Sequence, residues 1–361
     1  MNLTGKDLKQ IGFTEGKALG LALSLVNQLF PEMNQEEKLA LLKQVLNNPE
    51  SFISDPVLTS LAAVLLAPAD ETISLNVEGK SYQIYGAEAI EQGALMQMET
   101  AMKLPVTVAG ALMPDAHQGY GLPIGGVLAT NNAVIPYGVG VDIGCRMCLT
   151  VYDIPTERLQ EKAAEFKKLL INNTKFGQAT FKKPKDHEIF ERNEFSEIAI
   201  ARQMRDRAWQ QIGSSGGGNH FVEFGIVEIT NAINEHNLPP GRYLGLLSHS
   251  GSRGLGANIA RHYTKLAMDK CRLPQEAKHL AWLDLDSAEG QEYWLAMNLA
   301  GDYASACHHQ IHDRIAIGLG ETPLAMLENH HNFAWKENDA KGNEVIVHRK
   351  GATPAGRGVL G

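Results

Sequence analysis

Glycine falls in five clusters along this chain, at 119–126, 138–144, 213–218, 251–256 and 351–361, among 35 glycines in 361 residues. Glycine permits tight turns and close approach of backbone to a ligand at little steric cost, so clusters of it punctuate strands or frame a binding site. Apolar runs flank several of the clusters: LPVTVAGALM, GGVLAT, AVIPYGVGVDI and RMCLTVYDI between 104 and 154, then 221–228, 241–248 and EVIVHR at 344–349. These read as buried strands. The expected fold is α+β, with central β-sheets flanked by helices and a site built from glycine-rich loops.

The first part of the chain has a different texture. Leu19, Leu21, Leu23, Leu25 and Val26, then Leu39, Leu41, Leu42 and Val45, lie on helical faces. Asn34 is placed to cap the helix that begins QEEKLALLKQVL, with the acidic pair in its first turn. TISLNV and SYQIYG flank Glu78-Gly79-Lys80 as a short hairpin. The expected division is a helical accessory region over 1–86 and a catalytic core over 87–361. Helix and loop are expected over 156–212, and helix over most of 254–315.

Composition excludes some classes and leaves others open. No apolar run reaches about 18 residues, so a membrane span is not expected. The N-terminus, MNLTGKDLKQIGF, lacks a basic-then-apolar secretory layout, and a cytoplasmic location is expected. The four cysteines, Cys145, Cys148, Cys271 and Cys307, then point to metal binding or burial rather than disulfides. A formal net charge of -8 argues against a broadly basic nucleic-acid surface, though not against a local groove. Lys175, Lys182, Lys183 and Lys185 form the one basic patch, read as a solvated face.

Chemistry concentrates in the glycine-framed segments. PYGVGVDIGCRM sets Asp142 and Cys145 three residues apart after a turn, able to aim a carboxylate and a thiolate at one point. Cys145 and Cys148 also make a CxxC, but no second pair exists to complete a four-thiolate zinc site. GSSGGGNHFVEF holds Asn219 and His220 at the entry to a strand, offering backbone N–H donors, an amide and an imidazole. It lacks the Gly-Lys-Ser/Thr of a Walker loop and the helix of a dinucleotide fingerprint. LLSHSGSRGLG runs a strand into His249, with Arg253 in the following turn, which suits a metal ligand beside a phosphate clamp. No GxSxG elbow supports a Ser–His nucleophile there.

LENHHNFAW adds His330 and His331, adjacent and, if helical, pointing apart, so that one ligates. Cys307-His308-His309-Gln310-Ile311-His312 is rich in donors, but without the glutamate of HExxH it is read as surface or packing histidine. MPDAHQGYGLPIGG and VIVHRKGATPAGRG carry Asp115, His117, Arg349, Lys350 and Arg357, with cations beside glycine that suit phosphate.

In chain order, MPDAHQGYGLPIGG, GVGVDIGC, GSSGGGNHFVEF, HSGSRGLG, HHN and HRKGAT resemble the signature blocks of the RtcB family of tRNA-splicing and RNA-repair ligases, over roughly residues 90–361. The resemblance implies a GTP- and Mn²⁺-dependent enzyme that joins RNA 2′,3′-cyclic-phosphate or 3′-phosphate ends to 5′-hydroxyl ends. It does so through a guanylylated histidine and an RNA-3′-pp-5′-G intermediate. It implies two Mn²⁺ ions on Asp142, Cys145, His220, His249 and His331, with Cys145 bridging. It implies guanine-nucleotide contacts from Asn219, His220, Phe221, Val222, Glu223, His331 and Asn332, and an RNA phosphate on Arg253, with Asp115, His117, Arg349 and Lys350 as further phosphate contacts. RNA and an archease-type activator are the implied partners.

Two departures accompany the resemblance. Cys148 stands where the family has no second thiol. The family's guanylylated histidine lies in a Ser-His-Gly-Ala-Gly-Arg block beyond HRKGAT that these 361 residues do not contain. A C-terminally truncated core is therefore expected, with His348 as the one substitute nucleophile in reach. The rival expectation is a ligase-inactive metal- and phosphate-binding protein associated with RNA.

Overall fold

The apolar runs between glycine turns become strands of two main sheets in the computed structural model, which describes residues 2–14, 17–66, 72–356 and 359. Backbone contacts divide the chain into two units, Met1–Glu71 and Thr72–Gly361. The described residues of the first unit form four helices, α1 (Gly5–Gln10), α2 (Lys17–Leu29), α3 (Gln35–Asn47) and α4 (Thr59–Leu66). Their apolar faces close on a small core that includes Leu8, Val26, Leu42, Val45 and Leu61. Asn34 caps α3 as expected: Glu37 N–H donates to Asn34 Oδ1 at 3.0 Å, and Asn34 N–H donates back to the Glu37 carboxylate at 2.9 Å. Each satisfies an N–H that helix geometry leaves unpaired.

Residues 72–86, read from the sequence with the N-terminal region, pack in the second unit. Ile73, Leu75 and Tyr82 lie against its main core. The expected hairpin is absent there. Only β1 (Gln83–Ile84) forms, and it pairs in parallel with the long β2 (Thr107–His117). Helix α5 (Gln92–Met102) lies between them in sequence. A five-stranded sheet then runs β1-β2-β3-β11-β10, where β3 is Ile124–Thr130, β10 is Asn332–Asn338 and β11 is Glu344–Lys350. A two-stranded ladder joins β4 (Ala133–Val134) to β8 (Leu283–Asp284).

The second sheet positions the chemistry. Its order is β6-β7-β5-β9, with β5 Arg146–Tyr152, β6 Phe221–Ile229, β7 Gly241–Ser250 and β9 Ala325–His330. Every neighbouring pair is antiparallel. Phe221, His249, Met147 and Asn329 therefore stand in one cross-strand row, so β5 and β6 start, and β7 and β9 finish, at the same edge.

The helices of the second unit complete the packing. Short turns α6 (Pro136–Val139), α7 (Arg158–Glu161) and α9 (Glu194–Glu197) accompany α8 (Ala163–Asn173), α10 (Ala199–Gln211) and α11 (Arg253–Lys270). The 32-residue α12 (Ala288–Leu319) is buried along much of its length, capped by Ser287 Oγ at its start and ended by Gly320 at φ 71°. The run AVIPYGVGVDI is mostly not strand. Pro136 starts a helical turn there, because its ring fixes φ in the helical range and the missing N–H is not needed at a first turn. His330 and His331 also sit at a junction of strands, β9 to β10, and not on a helix. No helix among the described residues is long and apolar enough to cross a membrane.

Candidate metal centre

Four of the five donors arrive at the shared sheet edge from a strand end, and Asp142 from the turn before β5. Cys145 directly precedes β5, His220 directly precedes β6, His249 is the penultimate residue of β7, and His331 follows β9. The turn before β5 is tight, with Cys145 N–H donating to the Asp142 carbonyl at 3.2 Å. Gly144 is required in it twice over. Its φ is +70°, and a Cβ there would stand 2.8 Å from the Gly301 Cα of α12. Asn332 fixes the turn from the other side: Gly144 N–H donates to its carbonyl at 2.8 Å, and its amide donates to the Asp142 carbonyl at 3.3 Å. The Asn332 Oδ1 accepts from Gly351 N–H at 2.8 Å, so this side chain is spent on backbone.

The resulting cluster has two halves that share one thiol. Cys145 Sγ lies 3.2 Å from His249 Nε2 and 3.5 Å from His220 Nε2. His249 Nε2 lies 3.2 Å from His331 Nε2, and His220 Nε2 lies 2.9 Å from an Asp142 oxygen. Donor atoms of Cys145, His249 and His331 lie within 4.8 Å of one another, and so do those of Asp142, Cys145 and His220. Such spacings are close to the edges of a tetrahedron with metal–ligand bonds of about 2.0–2.3 Å.

Protonation favours donors with free lone pairs. Burial pushes the His331 imidazole down to about 4, with His249 adding to the effect. Burial also lowers His249, against a hydrogen bond with the Asn219 carbonyl, 3.0 Å from its Nδ1. Nδ1–H donates to that carbonyl, which leaves Nε2 facing Cys145 and His331. Burial alone would raise the Asp142 carboxyl, but hydrogen bonding to and charge pairing with His220 turn the net shift downward. The Cys145 thiol is pushed up by burial and by the neighbouring Asp142 carboxylate. A cation held here therefore has to displace its proton.

Two glycines make room for these donors. A Cβ at Gly251 would fall 2.1 Å from Asp142 Oδ1, and one at Gly216 would fall 1.9 Å from His220 Nδ1. Beside Asp142 and His220 opens a cleft lined also by Gln178, Arg207, Arg253 and Arg261. Arg253 is anchored in it by Ser214 Oγ at 3.1 Å and by the Gly177 carbonyl. Arg207, from α10, and Arg261, from α11, were missed in the sequence. Their spacing within helices carries no mark of a site, and only the packing of α10 on α11 sets them at one cleft.

Other residues singled out in the sequence are used differently. Phe221 stacks at a tilt near His249, their rings 5.7 Å apart, while Val222 is buried and Glu223 exposed on β6. Asp115 and His117 are exposed at the end of β2, outside the groups clustered on Cys145. Arg349 is not free for phosphate: both its terminal nitrogens bind the Glu337 carboxylate, and it stacks over Trp335. Lys350 is buried, donates to the carbonyls of Tyr120 and Leu122 at 2.6 and 3.0 Å, and is lowered to about 8 by burial. His348 is not a nucleophile in this arrangement. It is fully buried, Nε2 accepts from Ile135 N–H at 2.9 Å, and Nδ1 donates to the Leu128 carbonyl at 3.1 Å. Arg357 lies outside the described residues. The histidines at 308 and 312 are buried rather than on the surface.

A carboxylate, a thiol and three imidazoles gathered at one sheet edge define an α+β protein equipped to hold divalent metal. The sequence model of the family described as tRNA-splicing ligase RtcB matches residues 97–360, and the chain belongs to that family. An RNA-splicing ligase RtcB from Mycobacterium tuberculosis is 34% identical over 308 residues, covering 72% of this chain and 71% of that protein. An RNA-splicing ligase RtcB homolog 1 from Entamoeba dispar is 31% identical over 310 residues, 72% of this chain. A tRNA-splicing ligase RtcB from Thermococcus kodakarensis is 30% identical over 297 residues, 68% of this chain. The chain spans 58% of the length of the Entamoeba protein and 61% of the Thermococcus protein.

Proposed function

We propose that this chain forms the metal- and phosphate-binding part of an RNA ligase that joins 2′,3′-cyclic-phosphate or 3′-phosphate ends to 5′-hydroxyl ends, using GTP and two Mn²⁺ ions. The observation that carries this reading is the sharing of Cys145 between two donor triads. Asp142, Cys145 and His220 would hold one ion, and Cys145, His249 and His331 the other. Thiolate and imidazoles by themselves suit zinc, and the preference for manganese rests on family membership. When bound, a pair of ions polarises a phosphate and stabilises a leaving oxygen.

The chain's own residues prepare the rest. The Asn219 carbonyl keeps the His249 proton on Nδ1, so Nε2 stays available. Asn332 holds the Asp142–Cys145 turn against movement. Arg207, Arg253 and Arg261 concentrate positive charge at a cleft in a chain of net charge -8, where RNA phosphates would find it. The segment from Asn219 to Glu223 and the pair His331-Asn332 flank the same sheet edge, where they would meet the guanine nucleotide. An archease-type activator and a cytoplasmic location accompany this reading.

The test is to strip the chain with chelator, restore Mn²⁺, and measure binding of GTP and of an RNA oligonucleotide bearing a 3′-phosphate. Binding of both that requires Mn²⁺ and disappears with Cys145→Ala is the expected result. Joined RNA is not expected of these residues alone, because the family's guanylylated histidine is not among them. Binding of metal and RNA phosphate with no Mn²⁺-dependent binding of GTP would favour the ligase-inactive RNA-associated protein instead.

A further inference from the structure

A second donor cluster lies in the sheet's interior. Side chains of β5 alternate, so Cys148 and Thr150 project to the same face. Cys148 pairs across the sheet with Ser248 of β7. Helix α12 brings His308 and His312, one turn apart, to these residues. Ser248 Oγ lies 2.6 Å from His308 Nδ1 and 2.7 Å from His312 Nε2, and Thr150 Oγ1 lies 2.6 Å from His312 Nδ1. Cys148 and His308 have no exposed surface, and His312 is 2% exposed. Donor atoms of Cys148, His308 and His312 all lie within 4.8 Å of one another.

One nitrogen in this cluster forms no hydrogen bond, although the Ser250 carbonyl stands near its ring. His308 Nε2 is buried and makes no hydrogen bond. Buried polar atoms are ordinarily paired, and an orphan among soft and borderline donors needs a reason. Apolar side chains would fill this core position without that cost. We propose that Cys148, His308 and His312 form a further metal site, structural in role and suited to zinc, distinct from the donors around Cys145.

The chemistry of the set supports zinc. It holds one sulfur, two imidazoles and no carboxylate, a combination that selects Zn²⁺ over Mg²⁺, Ca²⁺ or Mn²⁺. The imidazoles stay neutral, held down to about 3 by burial, with the Ser250 carbonyl partly opposing this at His308. The Thr150 hydroxyl gives His312 the outer partner that a metal-bound imidazole ordinarily has. Ser248, whose Oγ lies within 2.7 Å of both imidazoles, would supply an oxygen for the fourth position. On binding, the Cys148 thiol gives up its proton to solvent and the sulfur bonds the ion. The ion would then tie α12 to β5 and β7 directly behind the edge that carries Cys145 and His249.

Cobalt(II) tests this without relying on catalysis, because a cobalt–thiolate bond absorbs in the near ultraviolet. The full chain carrying Cys145→Ala, stripped and titrated with Co²⁺, should keep a charge-transfer band and a tetrahedral visible spectrum. Adding Cys148→Ala should abolish the band, and His308→Gln should weaken cobalt binding by about tenfold or more. In the otherwise unaltered chain, Cys148→Ser should lower bound zinc by one equivalent while circular dichroism stays unchanged. No band in the Cys145→Ala chain overturns the site, as does a band that survives Cys148→Ala. An undiminished zinc count in Cys148→Ser does so independently, and would leave the cluster as a hydrogen-bonded core network.

Discussion

The Cys145 thiol and the His249 imidazole face each other across the paired ends of β5 and β7, Sγ to Nε2 at 3.2 Å. The same sulfur is 3.5 Å from His220 Nε2, on the far side of β7 in strand order. Each histidine beyond this pair serves one triad, whereas Cys145 serves both. Substitutions should therefore separate by count. Cys145→Ala should cost two equivalents of bound Mn²⁺, and His220→Ala or His331→Ala one each, read by elemental analysis after equilibrium dialysis. Equal losses for all three variants would contradict a shared thiolate.

The glycines around the centre predict a second pattern. A methyl at Gly251 cannot coexist with Asp142 in its present position, since the two would stand 2.1 Å apart, and a methyl at Gly216 meets His220 at 1.9 Å. Both contacts fall on the same triad. Gly251→Ala and Gly216→Ala should thus weaken one ion by about tenfold or more while sparing the ion on His249 and His331. Isothermal titration with Mn²⁺ checks this, because two sites of separate affinity should replace the pair. A uniform fall at both sites would instead mean that the edge had moved as a whole.

What could be read from the chain, and what could not, follows from the range of the physics. Asn34 with Glu37 three residues on is a local device, and its cap forms as expected. Asp142, Cys145, His220 and His249 were legible because glycine turns and apolar strands frame them, His331 was chosen over His330 only through the family resemblance, and the structure brings all five together. The strands β9 and β10 were not anticipated, since Ala325–Asn338 mixes polar and apolar residues and is ordered by its neighbours β5 and β11. Arg349 and Lys350 look like phosphate contacts beside a glycine, yet Glu337 and two loop carbonyls satisfy them from 12 and about 230 residues away. Likewise the sequence left His308 and His312 open between surface and packing, because α12 is covered by strands remote in sequence.

His348 predicts a pH dependence of stability. Burial lowers it from 6.5 to about 4 in the folded chain. Below pH 6.5 the unfolded chain binds a proton here that the folded chain does not, so stability falls as pH drops toward 4 and is complete above 6.5. At pH 5.5 the loss from this residue is about 1.4 kcal/mol relative to pH 7.5. Gln at 348 offers an acceptor for Ile135 N–H and a donor for the Leu128 carbonyl but does not titrate. Urea unfolding of wild type and His348→Gln should therefore converge by about that amount between pH 7.5 and 5.5. A constant gap between the two curves would show that His348 titrates alike in both states.

The cleft beside Asp142 carries the last prediction. Arg207 is half-buried there and among the described residues its guanidinium reaches only Gln178, at 3.4 Å, while Arg261 is exposed and donates to the Ala257 carbonyl of its own helix. Among the described residues neither has a carboxylate partner, so both charges remain open to an anion. If they meet RNA phosphates, each releases counterions on binding, and the affinity should fall steeply with salt. For single-stranded RNA the slope of log K against log salt is about 0.7 per phosphate neutralised. Arg207→Gln with Arg261→Gln should weaken binding of a 3′-phosphorylated oligonucleotide and make that slope shallower by about 1.4. Metal content should not change, because neither side chain belongs to the donor triads. Fluorescence anisotropy at several salt concentrations reads both quantities. A lower affinity with an unaltered slope would mean that the arginines shape the cleft but touch no phosphate, and the RNA path would then have to lie elsewhere on the sheet edge.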